Sequence, residues 1–287
     1  MATSAPTRPF SLRLYLLIVF GLSWPFLTAS ALWAAGNLSA TYLLNISSMI
    51  MVTVGTYIAG RYVFRDGFAR AGWSWGKPKY YLAVIGLALL LWVVPTTFDV
   101  ALGLSKLPVH ITTSQTAWVF VLLFATLVPG FGEEFGWRGY MLPRLAVRYG
   151  ARKGVLLHGT VWWAWHLPVL SGGAAAYGSG PLWSGGPDVS VAVTVAVLLA
   201  IGFVPTVLHA VVFAYIWSRS GSLAVATVYH TAYDGIRDSL ATTIGLGPIA
   251  QLWSGLLLLL LGAALLWRSK WKGIRGTDEQ LPRLAPG

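Results

Sequence analysis

The run Phe131-Gly132-Glu133-Glu134-Phe135-Gly136-Trp137-Arg138-Gly139 sets two adjacent carboxylates and a guanidinium in an otherwise apolar stretch. On a helix, Glu134 and Arg138 share a face four residues apart, so they can pair and lower each other's cost of burial. Glu133 points about 100° away around the same helix and is left without that cation. A carboxylate so placed is a general-base candidate for activating water. Two later stretches add groups of the same kind. Val161-Trp162-Trp163-Ala164-Trp165-His166-Leu167-Pro168 ends on a histidine, and a further segment carries His230 and Asp234 one turn apart, followed by Arg237 and Asp238. Each group alone has a structural reading: glutamates anchoring a helix, a histidine hydrogen-bonded in a core or at an interface, an Asp–Arg pair within a helix. Together they bring polar groups to three separate apolar segments.

The segments that must position these groups are too apolar for water. The chain has 287 residues, 56% hydrophobic and 10% charged, with a mean hydropathy of +0.67, whereas a soluble domain carries roughly a quarter charged residues. A bilayer core needs about 20 apolar residues per helix. Eight stretches fit, at about 11–34, 41–62, 80–103, 115–142, 154–171, 190–217, 222–241 and 248–268. The expected fold is therefore all-α, a polytopic transmembrane helical bundle of about eight spans in a single membrane domain. Pro129, Gly130 and Gly132 predict a kink in the fourth span close to the two glutamates. An ionisable side chain in mid-bilayer costs at least about 2.5 kcal/mol and by default marks function. Glu133, Glu134, Asp234, Asp238 and Asp99 fall within spans, as do His166, His209 and His230. Asp99, His209, His110 and His158 are assigned no role.

Basic residues sort by loop. Arg8 and Arg13 precede span one; Arg61, Arg65, Arg70, Lys77 and Lys79 lie between spans two and three; Arg144, Arg148, Arg152 and Lys153 lie between four and five. Arg219 separates six from seven, and Arg268, Lys270, Lys272, Arg275 and Arg283 mark the C-terminal segment, while Lys106 stands alone on the other side. This pattern predicts a multi-pass protein of the cell membrane with both termini cytoplasmic. It also argues against a nucleic-acid partner, whose basic patch would not alternate with hydrophobic spans. The first span could instead be a cleaved signal, but its length and Trp24-Pro25 favour retention. Residues 172–188 read as a Gly-rich external loop, and 273–287 as a flexible cytoplasmic tail. The absence of cysteine excludes disulfides, thiolate metal sites and a cysteine nucleophile.

At these residues the chain resembles the CAAX protease and bacteriocin-processing family of intramembrane glutamic endopeptidases, the prenyl-protein endopeptidase and Abi relatives. The family's Glu-Glu-x-x-x-Arg stands here as Glu133-Glu134-x-x-x-Arg138; Phe-x-x-x-His stands as Trp162-x-x-x-His166; and His-x-x-x-Asn or Asp stands as His230-x-x-x-Asp234. The ordered set is specific where each motif alone is weak, and it implies a protease-like core over about 115–240. The resemblance implies catalytic roles for Glu133, Glu134, Arg138, His166, His230 and Asp234, with no cofactor and no catalytic metal. Glu133 helped by His166 would activate water, and His230 with Asp234 would sit by the oxyanion. Asp at 234 is a departure from members with Asn, because an ionised carboxylate cannot donate to an oxyanion as an amide can. It can instead accept from His230 and fix that ring as the donor. Trp at 162 departs from Phe and affects the wall of the site more than its chemistry.

The expected partners are the lipid bilayer and a membrane-embedded or lipidated peptide or protein substrate, such as a prenylated CAAX-type peptide or a bacteriocin or peptide precursor. Two other functions use the same residues. A zinc-dependent membrane hydrolase needs ligands from three spans, since no His-Glu-x-x-His stands on one helix. A proton-coupled carrier or non-proteolytic scaffold would also bury Glu and His, but the sequence lacks the paired broken helices of related halves.

Overall fold

The structure, a computed structural model, describes residues 8–33, 37–171, 191–269, 271 and 274. The described residues are helical with no strand. The helices are α1 (Leu12–Trp33), α2 (Leu38–Ile58), α3 (Pro78–Ala101), α4 (Thr113–Phe124), α5 (Leu127–Glu134), α6 (Leu142–Tyr149), α7 (Ala151–Trp165), α8 (Val191–Ser220), α9 (Leu223–Thr243) and α10 (Pro248–Arg268). Among the described residues, six helical stretches are long and apolar enough to cross a bilayer: Leu12–Leu32, Ser39–Val63, Pro78–Ala101, Thr113–Tyr149, Leu199–Ser220 and Pro248–Arg268. The expectation of about eight is corrected on this point. The expected fifth span, α7, has only 15 residues before the break at His166, about 22 Å at 1.5 Å per residue. The expected seventh, α9, is too polar, with Asp234, Arg237 and Asp238 in its C-terminal half. Both lie inside the bundle: α9 packs on α3, α4 and α5, and α7 on α6 and α8. The expected external loop at 172–188 lies outside the described residues, as does the expected tail at 273–287 apart from Ile274.

With α4 to α6 forming one continuous rod, Thr113–Tyr149, the long elements alternate in direction, so the connections sort to two ends. At one, Ser74 Oγ donates to Gly221 O at 2.8 Å, Arg144 pairs with Asp66 at 2.7 Å, and Arg152 donates to Trp267 O at 2.7 Å. At the other, Ser105 Oγ donates to Gly245 O at 3.3 Å. There Asp99, which the sequence left without a role, caps α10: its two carboxylate oxygens accept from Ile249 N at 3.0 Å and Ala250 N at 2.8 Å. A carboxylate suits a helix N-terminus, where peptide N–H groups lack partners and the helix dipole is positive. Asp99→Ala is expected to cost about 1–3 kcal/mol, read as a lowered thermal midpoint in detergent, with Asp99→Asn in between. An unchanged midpoint in the alanine variant would contradict the cap.

The rod from Thr113 to Tyr149 carries the first two acidic groups, and its irregularities differ from the expected kink. Pro129 has no N–H to give the carbonyl of Ala125, and the break falls there, at Ala125–Thr126. The glutamates sit two turns later, at the end of α5, and a π-helical segment, Phe135–Met141, begins immediately after Glu134. Such bulges are frequent at functional sites. Glycines bring this region against α2. A Cβ on Gly132 would collide with Thr53, and one on Gly136 would lie 2.6 Å from Val52 Cγ1. Small residues at such contacts let membrane helices approach closely. Gly235 does the same for α9, where a Cβ would sit 2.7 Å from Leu122 O.

Candidate active site

Two helices, α5 and α9, meet at one imidazole. His230, on α9, sets Nδ1 2.9 Å from Glu134 Oε1. Its Nε2 lies 3.2 Å from Glu133 Oε2 and 3.1 Å from Asp234 Oδ2, one turn along α9. Both ring nitrogens thus face carboxylate oxygens, which accept only, so the ring donates on both sides as an imidazolium or one of the carboxyls holds the proton. The sequence reading that Glu133 stands without a cationic partner is corrected here. The pairing it missed is between helices, so no spacing along the chain announces it.

Behind the imidazole lies a second layer. Arg138 is fully buried in the π-helical segment, donates from Nη1 to Glu134 Oε1 at 2.8 Å, and has its guanidinium 4.1 Å from the Phe213 ring centroid and 4.9 Å from that of Trp162. The i,i+4 pair expected from the sequence is present. A cation over aromatic faces in a dry interior gains electrostatic attraction from both rings. Glu134 therefore accepts from Arg138 and His230 through one oxygen, and its orientation fixes both.

In front lies a cavity of about 450 Å³. Glu133, His166, His230 and Asp234 line it; Glu134 and Arg138 do not. His166 stands at the C-terminal end of α7, where Nδ1 lies 2.7 Å from Trp162 O. A carbonyl can only accept, so Nδ1 carries the hydrogen, and in the neutral ring Nε2 is left as an acceptor. Trp162 and Trp165 both meet the His166 ring edge-on, each with centroids 4.8 Å apart. Trp165 in turn donates to Ser23 Oγ at 2.8 Å, while Trp24 donates to Trp165 O at 3.0 Å. Helix α1 thus holds the end of α7 in place. Trp162 forms part of the cavity wall and also covers Arg138, a double contact that suits its larger ring.

The structure adds groups that the motifs did not name. His209, on α8, lines the cavity, lies 3.1 Å from Tyr229 Oη, and packs 4.4 Å from the Tyr233 ring. Arg237 lines it too, with Nη1 2.8 Å from Asp234 Oδ1 and Nε 2.7 Å from Asp238 Oδ1. Both were visible as polar residues inside spans, but nothing in the spacing said which wall they would occupy. His158 is buried in α7 with neither ring nitrogen hydrogen-bonded and lies outside the cavity lining. His110 belongs to the exposed connection between α3 and α4.

The arrangement can do proton chemistry on a water or peptide group in the cavity. Glu133 lines the cavity, with Oε2 3.2 Å from His230 Nε2 and Oε1 buried without a hydrogen-bond partner in the protein. Ligand atoms of Glu133, Glu134 and His230 also lie within 4.8 Å of one another, close enough for a metal ion to bridge them. Residues 115–236 match the family model described as type II CAAX prenyl endopeptidase Rce1-like. No curated protein matches the chain.

Proposed function

Residues 115–236 make this chain a member of the CAAX protease family, and on that premise we propose that it is an intramembrane endopeptidase whose nucleophile is a water activated by Glu133 and His166. The observation that carries this reading is the shared cavity. It joins the Glu133 carboxylate, the His166 ring and the His230–Asp234 pair in one pocket. A water between the Glu133 carboxylate and His166 Nε2 would donate both its hydrogens, leaving a lone pair for attack on the scissile carbonyl carbon.

The proton passes to Glu133 as the C–O bond forms. The developing oxyanion takes over the hydrogen bond that His230 Nε2 gives to Asp234 in the resting site, while Glu134 accepts from Nδ1 and holds the ring in that orientation. Collapse of the tetrahedral intermediate breaks the C–N bond, and the Glu133 proton goes to the leaving amine. Glu134 and Arg138 act through His230 as positioning residues, because neither reaches the cavity. The substrate in this reading is a lipidated or membrane-embedded peptide, since the site is enclosed by bilayer-crossing helices.

The cluster of Glu133, Glu134 and His230 favours one alternative, a zinc-dependent hydrolase. Against it, Glu134 already has its counter-charge in Arg138 at 2.8 Å, and a dication beside that guanidinium would be repelled. The two readings separate on chelation. Purified protein in nanodiscs, dialysed against a strong chelator and offered quenched peptides, farnesylated ones included, is expected to keep at least about half its turnover. Loss of about 100-fold or more, restored by added zinc, would establish the metal enzyme instead.

A further inference from the structure

Among the described residues the cavity is open at one end of the bundle, and that end is opposite the basic loops. Arg65, Arg70 and Lys77 lie between α2 and α3, Arg148 at the end of α6, Arg152 at the start of α7, and Arg219 at the end of α8. All belong to the end where Ser74 meets Gly221 and Arg152 meets Trp267. The cavity lining instead includes Tyr42 and Asn45 from the start of α2, Leu170 beyond the end of α7, Asp238 near the end of α9 and Gln251 near the start of α10. Those positions share the end where Asp99 caps α10. Exposure rises in the same direction: the side chains of Glu133 and His230 are 2% and 5% exposed, those of Asp234 and Asp238, 24% and 33%. From His230 to the α9 terminus at Thr243 is about 20 Å along the helix axis, so the reactive groups form the floor of a funnel.

Basic loops stay on the cytoplasmic side of a membrane. We infer that this cavity opens to the non-cytoplasmic face, so that its substrate is a polypeptide segment presented at or beyond the outer leaflet. An exported or membrane-anchored peptide precursor has that character; a lipidated C-terminus on the cytoplasmic surface does not. The inference deepens the protease reading and rests on it for the word substrate, but the direction of the opening stands on geometry and charge alone.

The absence of native cysteine permits a direct test. Val109 is 90% exposed beside the cavity end, Trp75 is 83% exposed at the basic end, and Gln251 lines the mouth. Val109→Cys, Gln251→Cys and Trp75→Cys variants of the full chain, in right-side-out membrane vesicles, would be treated with a membrane-impermeant maleimide. Labelling of the first two and protection of the third until permeabilisation is expected, with the reverse in inverted vesicles. Labelling of Trp75→Cys in right-side-out vesicles with protection of the other two would overturn the orientation. Reaction at Val109→Cys with Gln251→Cys protected would overturn the open mouth. Labelling requires no catalysis, so a failure of the protease reading would leave this result intact and distinguishable.

Discussion

Glu133→Gln is expected to lower turnover by about 1,000-fold or more while leaving the protein folded. General-base catalysis contributes about 10²–10⁴-fold, and the amide of Gln cannot take the proton that the nucleophilic water must lose. The substitution keeps side-chain length and a carbonyl oxygen able to accept from His230 Nε2, 3.2 Å away in the wild type. The thermal midpoint should therefore shift by only a few degrees, and the loss should fall on kcat with little change in KM. His166→Gln should lose less, because it removes a second acceptor of the water but leaves the base. Equal turnover in Glu133→Gln and wild type would remove Glu133 from the chemistry.

The largest stability effect is expected at Arg138. Among the described residues it is the only cation in direct contact with the paired glutamates other than His230, and its side chain is completely buried against Phe213 and Trp162. Breaking a buried pair by deleting one partner costs about 3–5 kcal/mol, since the remaining charge is left unpaired in a dry interior. Arg138→Leu should therefore lower the unfolding midpoint in detergent by well over ten degrees or prevent accumulation of folded protein. Removing the stranded charge as well, in Arg138→Leu with Glu134→Gln, should recover about half of that loss by the logic of a double-mutant cycle. A single Arg138→Leu variant as stable as wild type would show that the Glu134–Arg138 pair is not what holds the π-helical segment.

Much of this site is legible in the sequence because charge is costly inside a membrane. Glu133, Glu134, His230 and Asp234 stand out from apolar surroundings, and periodicity alone puts Glu134 with Arg138 and His230 with Asp234. What spacing cannot give is the angle at which two helices meet. His230 lies 96 residues from Glu134 and still reaches it, so Glu133 reads as unpaired until the α5–α9 contact is seen. Asp99 is similar: in sequence it is an unexplained charge in a span, in space a cap on a helix 150 residues later. His209 carries the same signal as His166, a polar ring amid apolar residues, and only packing shows that both face one cavity. The number of helices apolar enough to face lipid falls short of the expected eight for a related reason. The helices that carry and position the candidate groups, α7 and α9, are shielded by their neighbours and are shorter or more polar than a lipid-facing span.

The most direct measurement is product analysis by mass spectrometry. Wild type and Glu133→Gln, each in nanodiscs with both membrane faces accessible, would be given a panel of membrane-anchored precursor peptides and lipidated peptides. The expected result is a pair of fragments from one internal peptide bond with wild type, unaffected by chelator, and intact peptide with Glu133→Gln of unchanged fold. Fragments formed equally well by the Glu133→Gln protein would contradict a glutamate-activated water as the nucleophile.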